Sequence, residues 1–230
     1  MEDTTKKLSG RKRAFIAGGS LLGVAALITA AAFTDSAYLN LGNGAGGDGI
    51  GGGDNAFNIQ VVNTDATTNL PLASTFAEAK AGNIWQEASE PGANGVTIGI
   101  AGADTITPGD TVSTSIPFIN DSPKLAGALT FSLADSPKGT SSVTPAGETK
   151  SMAELLRYTV TVKDATGATV STIADQTQAQ VANLALGDYA AGDGGTVELS
   201  VTWSTDGIVD ANNYKGSVAY VQAQFGAESL

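Results

Sequence analysis

The chain has no Cys and no His among its 230 residues. Without Cys there is no disulfide scaffold. Without both there is no ordinary zinc site, since zinc proteins draw most of their ligands from these two residues. Missing His also removes every catalytic scheme with an imidazole base, including Ser-His-Asp and Cys-His. Charge is scarce too: only 15% of residues are Asp, Glu, Lys or Arg, and the balance is −11. A surface of that sign repels phosphate, which argues against a nucleic-acid partner. What remains is 42% apolar residues, enough for a core, together with 29 Gly.

The charge is unevenly placed. Residues 1–13 hold Lys6, Lys7, Arg11, Lys12 and Arg13 against Glu2 and Asp3, whereas the other 217 residues carry −14. An uncharged run follows from Ala14 to Thr34, and its centre reads AFIAGGSLLGVAALITAAA. A basic start, an apolar middle and small residues at the end describe an export signal. The run is also about long enough to span a bilayer as a helix, so a retained anchor is the alternative. The small residues before Ala32 put the cut between Ala31 and Ala32. The expected division is therefore a signal peptide over 1–31, an N-terminal strand and tether over 32–55, and a folded domain over 56–230.

Residues 42–55 read GNGAGGDGIGGGDN, and eight of these 14 are Gly. Such a segment has little to bury and much chain entropy to lose, so it reads as a tether. It also contains G-x-G-x-x-G, but more Gly follows where a dinucleotide site needs a helix. Ahead of it lies AFTDSAYLNL, whose Phe33, Tyr38, Leu39 and Leu41 make a candidate donor strand.

From Phe57 onward short runs alternate apolar and polar. Phe57–Val61, Val96–Ile100, Thr111–Ile119, Leu129–Leu133, Tyr158–Val162, Val197–Trp203 and Ala219–Phe225 all do so. Period two with one polar face means antiparallel strands packed on one side. Thr107-Pro108-Gly109-Asp110, Ser136-Pro137-Lys138-Gly139 and Ala165-Thr166-Gly167 mark turns between them. Two short helices are expected. One is at Ser151, where S-x-x-E forms a capping box; the other is over 175–184, capped by Asp175. Seven or eight strands in this length predict an all-β, two-sheet antiparallel sandwich preceded by the signal-peptide helix.

Three stretches resemble the TasA/camelysin family of secreted bacterial proteins, which carry an alternate, SipW-type signal peptide. They are Ala32-Phe33-Thr34-Asp35 after the apolar run, Pro108-Gly109-Asp110 before a strand ending at Asn120, and Tyr214-Lys215-Gly216 before the last strand. The resemblance implies a jelly-roll sandwich, export to the cell surface, and assembly into matrix fibres by insertion of an N-terminal strand into a neighbour. The partners it implies are further copies or related surface proteins, with signal peptidase during export. Contact with the membrane is then expected only through an uncleaved signal segment.

The family's metallopeptidase activity does not carry over, because no imidazole is present to hold zinc. No catalytic residue, cofactor or metal is assigned. A secreted camelysin-like hydrolase, or a surface module for calcium or carbohydrate, stays as the alternative. Its candidate residues are Glu87 and Glu90 as an acid pair, and Asp188, Asp193, Glu198, Asp206 and Asp210 as oxygen ligands. Trp85 and Trp203 are possible sugar-stacking faces, and Trp203 also reads as core because it alternates with core residues.

Overall fold

The computed structural model describes residues 34–39, 57–87 and 96–230. Within the compact unit Thr34–Leu230, ten strands form among the described residues. They are β1 (Thr34–Leu39), β2 (Ile59–Val62), β3 (Trp85–Glu87), β4 (Thr111–Asn120), β5 (Gly127–Asp135), β6 (Leu156–Lys163), β7 (Thr169–Gln176), β8 (Leu184–Tyr189), β9 (Gly194–Trp203) and β10 (Val221–Ser229). Two short α-helices join them: α1 (Phe76–Gly82) and α2 (Met152–Leu155).

All pairings are antiparallel, in one sheet of order β1-β10-β5-β8 and another of order β3-β2-β4-β9-β6-β7. From β4 to β10 the chain changes sheet at every step except β6 to β7, which form a hairpin in one sheet. The result is two interleaved four-stranded blocks, 1-10-5-8 and 4-9-6-7, which is jelly-roll connectivity. β2 and β3 extend the second block at its β4 edge.

Strand β9 shows why the pattern works. Val197, Leu199, Val201 and Trp203 are buried, while Glu198, Ser200 and Thr202 face outward. On the outer face Lys163 pairs with Glu198, and the Thr111 and Thr202 hydroxyls meet at 2.8 Å. The start of β9 requires glycine: a Cβ on Gly194 would lie 2.0 Å from the Phe118 carbonyl oxygen. No side chain fits so close an approach.

Several expectations are corrected here. Val96–Ile100 alternates and buries Val96 and Ile98, yet it joins no ladder. It lies against β4 as a covering segment, tied by Gly99 N–H to Asn69 O at 2.7 Å and by Thr114 Oγ1 to Gly99 O at 3.2 Å. The helix expected over 175–184 is absent. β7 runs to Gln176, a single 3₁₀ turn spans Gln178–Gln180, and β8 begins at Leu184. Its cap is Thr177, whereas Asp175 sits at φ 56° as a kink at the end of β7. The capping box at Ser151 forms as expected, with Ser151 N–H donating to Glu154 Oε2 at 2.7 Å.

Helix α1 has half of that device, since the Glu78 carboxylate accepts from Ser74 N–H at 3.0 Å rather than from its cap residue. Thr75 Oγ1 accepts from Glu78 N–H at 3.2 Å, and Asn83 at φ 49° ends the helix. Its Phe76 N–H donates to Thr196 Oγ1 at 2.9 Å, which pins the helix to β9.

Candidate assembly edge

A β-sandwich offers its neighbours the outer strands of its sheets. An unpaired row of N–H and C=O groups is a template for another chain, and native folds blunt it with short strands, bulges or charge. Four strands occupy edge positions here: β1 and β8 in one sheet, β3 and β7 in the other.

Three of them are blunted. β3 is three residues long. β7 meets β6 with register shifts at Tyr158/Val160 and Val162/Lys163. β8 meets β5 with a shift at Leu129/Thr130, and its Gly187 has φ 125°. β1 differs. It pairs with β10 in six consecutive positions without a shift, from Thr34↔Glu228 to Leu39↔Ala223.

Its seat on β10 has an apolar inner face and a polar outer one. Ala223, Phe225 and Ala227 are buried, while Gln224, Gly226 and Glu228 alternate with them. The other side of β10 is locked to β5 over nine positions, from Val221↔Asp135 to Ser229↔Gly127. Departure of β1 would thus open one row of β10 main-chain groups without disturbing the other. Of the residues expected in a donor strand, Tyr38 and Leu39 are at register positions on β1, opposite Gln224 and Ala223. Phe33 and Leu41, the expected cleavage pair Ala31 and Ala32, and the expected tether over 42–55 lie outside the described residues.

The enzymatic and calcium candidates do not converge. Glu87 is on β3, where its Oε1 accepts from Asn58 Nδ2 at 3.0 Å and from Gln60 Nε2. Its charge adds to the effect of burial in holding the Asp121 carboxyl above its ordinary range. Glu90 lies outside the described residues. Glu198 is paired with Lys163, and Asp206 with Lys150 at 3.1 Å. Asp210 caps a 3₁₀ turn through Asn212 N–H at 2.9 Å. Among the described residues no three acidic side chains gather as a metal site.

Trp203 is buried, with its ring 5.9 Å from Tyr214. Trp85 stands half-buried on β3, 5.9 Å from the Phe76 ring.

The motif residues behind the family resemblance have structural work. Asp110 closes its turn by accepting from Thr107 N–H at 2.9 Å, and Gly109, at φ 96°, donates to Trp203 O at 2.8 Å. Bonds from Thr107 hold the Asp110 carboxyl below its ordinary range. Asn120 is fully buried, and Gly216 at φ 81° turns the chain toward β10. No family model and no curated protein matches the chain.

Proposed function

We propose that this chain is a secreted structural protein, a subunit of cell-surface or matrix fibres assembled by exchange of its N-terminal strand. The observation that carries the reading is the seat of β1. It is an uninterrupted edge pairing, and the strand is followed in sequence by a Gly-rich stretch of 14 residues. A tether of that composition has a root-mean-square span of roughly 20 Å, long enough to reach an adjacent subunit. The strand seated on β10 then comes either from the same chain or from a neighbour, and the hydrogen bonds are the same in both cases. Local concentration favours the same chain, since an intramolecular partner acts at about millimolar effective concentration. Exchange therefore requires high subunit concentration, as at a secreting surface. The basic start and apolar run supply the export step, and the TasA/camelysin resemblance points the same way.

The absence of Cys makes the test clean. Thr34 and Glu228 are opposed across β1 and β10, and opposed antiparallel positions are close enough for a disulfide. Processed Thr34→Cys and Glu228→Cys chains are mixed, concentrated and oxidised. A disulfide between the two different chains, growing with concentration, is the expected result. If only the double variant closes, and only within single chains, strand exchange is wrong.

A further inference from the structure

Protein interiors pack like organic crystals, and voids larger than a water molecule are few. This interior has a cavity of about 810 Å³ between the two sheets, at the end where β4 begins and β9 ends. Its inner wall is built from Ile116, Leu133, Leu156, Leu199 and Val201, so β4, β5, β6 and β9 all give it aliphatic side chains. Beyond that wall the rings of Phe118, Phe131 and Phe225 fill the space between the sheets. The rim comes from the loops 98–108 and 211–219. The size falls in the range of roughly 300–1,000 Å³ typical of small-molecule sites.

Polar atoms among the described lining residues are turned away from a guest, engaged elsewhere or placed at the rim. Tyr158 and Trp203 belong to the lining, yet Tyr158 Oη and Trp203 Nε1 are buried in the packing and do not face the space. Thr114 donates its hydroxyl to Gly99 O at 3.2 Å. The charged residues of the described lining, Asp104 and Lys215, both belong to the rim loops. The mouth also has an apolar lip. Ser142 N–H donates to Val218 O and Val218 N–H to Ser142 Oγ, both at 2.9 Å, which lays the chain at Val143 beside the rim. Tyr220 N–H donates to Ser141 Oγ at 2.9 Å in the same strap. Val143, Val218 and Tyr220 are 84%, 46% and 37% exposed. Single exposed apolar residues are ordinary, but several gathered beside an opening mark a binding site.

We infer that the cavity is a binding site for the alkyl chain of a neutral single-chain amphiphile, whose polar head stays in water at the mouth. A guest with polar atoms along its length, such as a sugar, would lose their hydration against aliphatic side chains that give nothing back. A chain with all its polar atoms at one end avoids that loss, because the cavity is walled at its inner end and open at its rim. The head is neutral because the rim offers one charge of each sign, Asp104 and Lys215. Affinity comes from the methylenes, each worth about 0.8 kcal/mol when buried, which is about fourfold in binding per carbon. The reading does not rest on strand exchange, since its walls are β4, β5, β6 and β9 and its rim two loops.

Methyl signals of Leu and Val report the site directly. Leu133, Leu199 and Val201 line the cavity, whereas Leu129, Leu186 and Val162 are buried outside its described lining. The purified chain is titrated with 1-decanol in a ¹H–¹³C methyl spectrum. The first three residues should shift saturably, with one decanol per chain, and the second three should stay in place. 1-Octanol, two carbons shorter, should bind about fifteenfold more weakly. 1,10-Decanediol has the same length, but its second hydroxyl would be carried to the inner wall, so it should bind at least about tenfold more weakly than decanol. Val201→Phe fills the cavity and should abolish the shifts at Leu133 and Leu199 while the Leu129 and Leu186 signals keep their native positions. Phosphatidylcholine vesicles, the other source of alkyl chains, should leave the cavity methyls unmoved. The assignment is overturned by no saturable shift with decanol, by equal shifts at Leu129 and Leu186, or by a diol that binds as tightly as decanol. A folded Val201→Phe chain that still binds decanol, or a response to vesicles alone, would overturn it as well.

Discussion

The two ends of the sandwich interior are built on opposite plans. At one end Phe118, Phe131, Phe225 and Tyr189 pack ring against ring. Phe118 lies 5.2 Å from Tyr189 and 5.4 Å from Phe225, and Phe131 lies 5.3 Å from Phe225. The polar groups there are satisfied. Tyr189 donates to Leu186 O at 3.1 Å, and burial pushes its phenol up to about 12. Asn120, 0% exposed, donates to Leu125 O at 2.8 Å and Tyr189 O at 3.0 Å and accepts from Ser122 N–H at 3.1 Å. At the other end the strands are as regular, but the sheets enclose the cavity and leave Tyr158 and Trp203 unpaired. Close ring packing is concentrated at the filled end, and empty space is left at the open one.

Matched truncations should break this symmetry most visibly. Leu129 is buried at the filled end and outside the cavity, whereas Leu199 lines it. Leu→Ala costs the transfer of the lost atoms plus a term for the new void. Leu129→Ala should cost about 4 kcal/mol, near the upper part of the usual range. Leu199 already borders empty space and forfeits fewer contacts, so Leu199→Ala should cost nearer ~2 kcal/mol. Urea unfolding of both variants checks it, and equal costs would show the open end to be as tightly filled as the other.

The next effect in size is polar. Asn120→Ala strands two carbonyls and one N–H in the filled end at once. At about 1 kcal/mol or more for each, the loss should be near 3 kcal/mol. It should also loosen the 190–194 turn, because Asn120 O accepts from Gly192 N–H at 2.7 Å and Asn120 N–H donates to Asp193 O at 2.8 Å. Amide exchange at Gly192 should speed up while the 204–219 segment is unchanged. A loss of less than 1 kcal/mol would show that the network is not what closes this end.

Much of the fold was legible because its strands follow a period of two. Tyr158–Val162 and Val197–Trp203 alternate because each has one buried face, and that is what the structure shows. β7 and β8 escaped because edge strands bury little. Thr169–Gln176 has no buried position at all, so no apolar rhythm marks it. Val96–Ile100 misled for the converse reason. Two buried residues at alternate positions suffice to cover an edge without joining it. Helix α1 was missed, although Thr75 and Glu78 have the same spacing as Ser151 and Glu154. The apolar character of residues 32–41 was plain, but the seat of Thr34–Leu39 on β10 required the register. The cavity was invisible in sequence: Tyr158 and Trp203 alternate like ordinary core residues, and only three dimensions show that nothing answers their polar atoms.

The smallest expected effect concerns acid, and it separates the two ends by rate of opening. Glu148 clasps the rim of the open end. Its Oε2 accepts from Val209 N–H and its Oε1 from Asp210 N–H, both at 2.8 Å. Asn213 Nδ2 donates to Oε1 at 2.8 Å, and Tyr214, whose ring packs on Trp203, donates to Oε2 at 3.3 Å. The Val209 N–H does most to hold this carboxyl below its ordinary value of 4.5, with the other donors adding to it. A group whose folded value is depressed lends stability above its unfolded value and withdraws it as pH falls through the folded one. Protonation below about pH 4.5 should therefore release the 204–219 segment. Other carboxylates, including Asp65, Asp110 and Asp164, are held low in the same way, so global unfolding mixes their effects. The local readout is amide exchange at Val209 and Asp210 compared with that at Leu129 and Phe131. From about pH 6 to pH 3, after correction for intrinsic exchange, the rim amides should lose protection first. Glu148→Gln should remove most of that difference, since an amide keeps its size but has no charge to lose. If the rim amides of the parent stay as protected at pH 3 as those of the filled end, the clasp does not govern the mouth of the cavity.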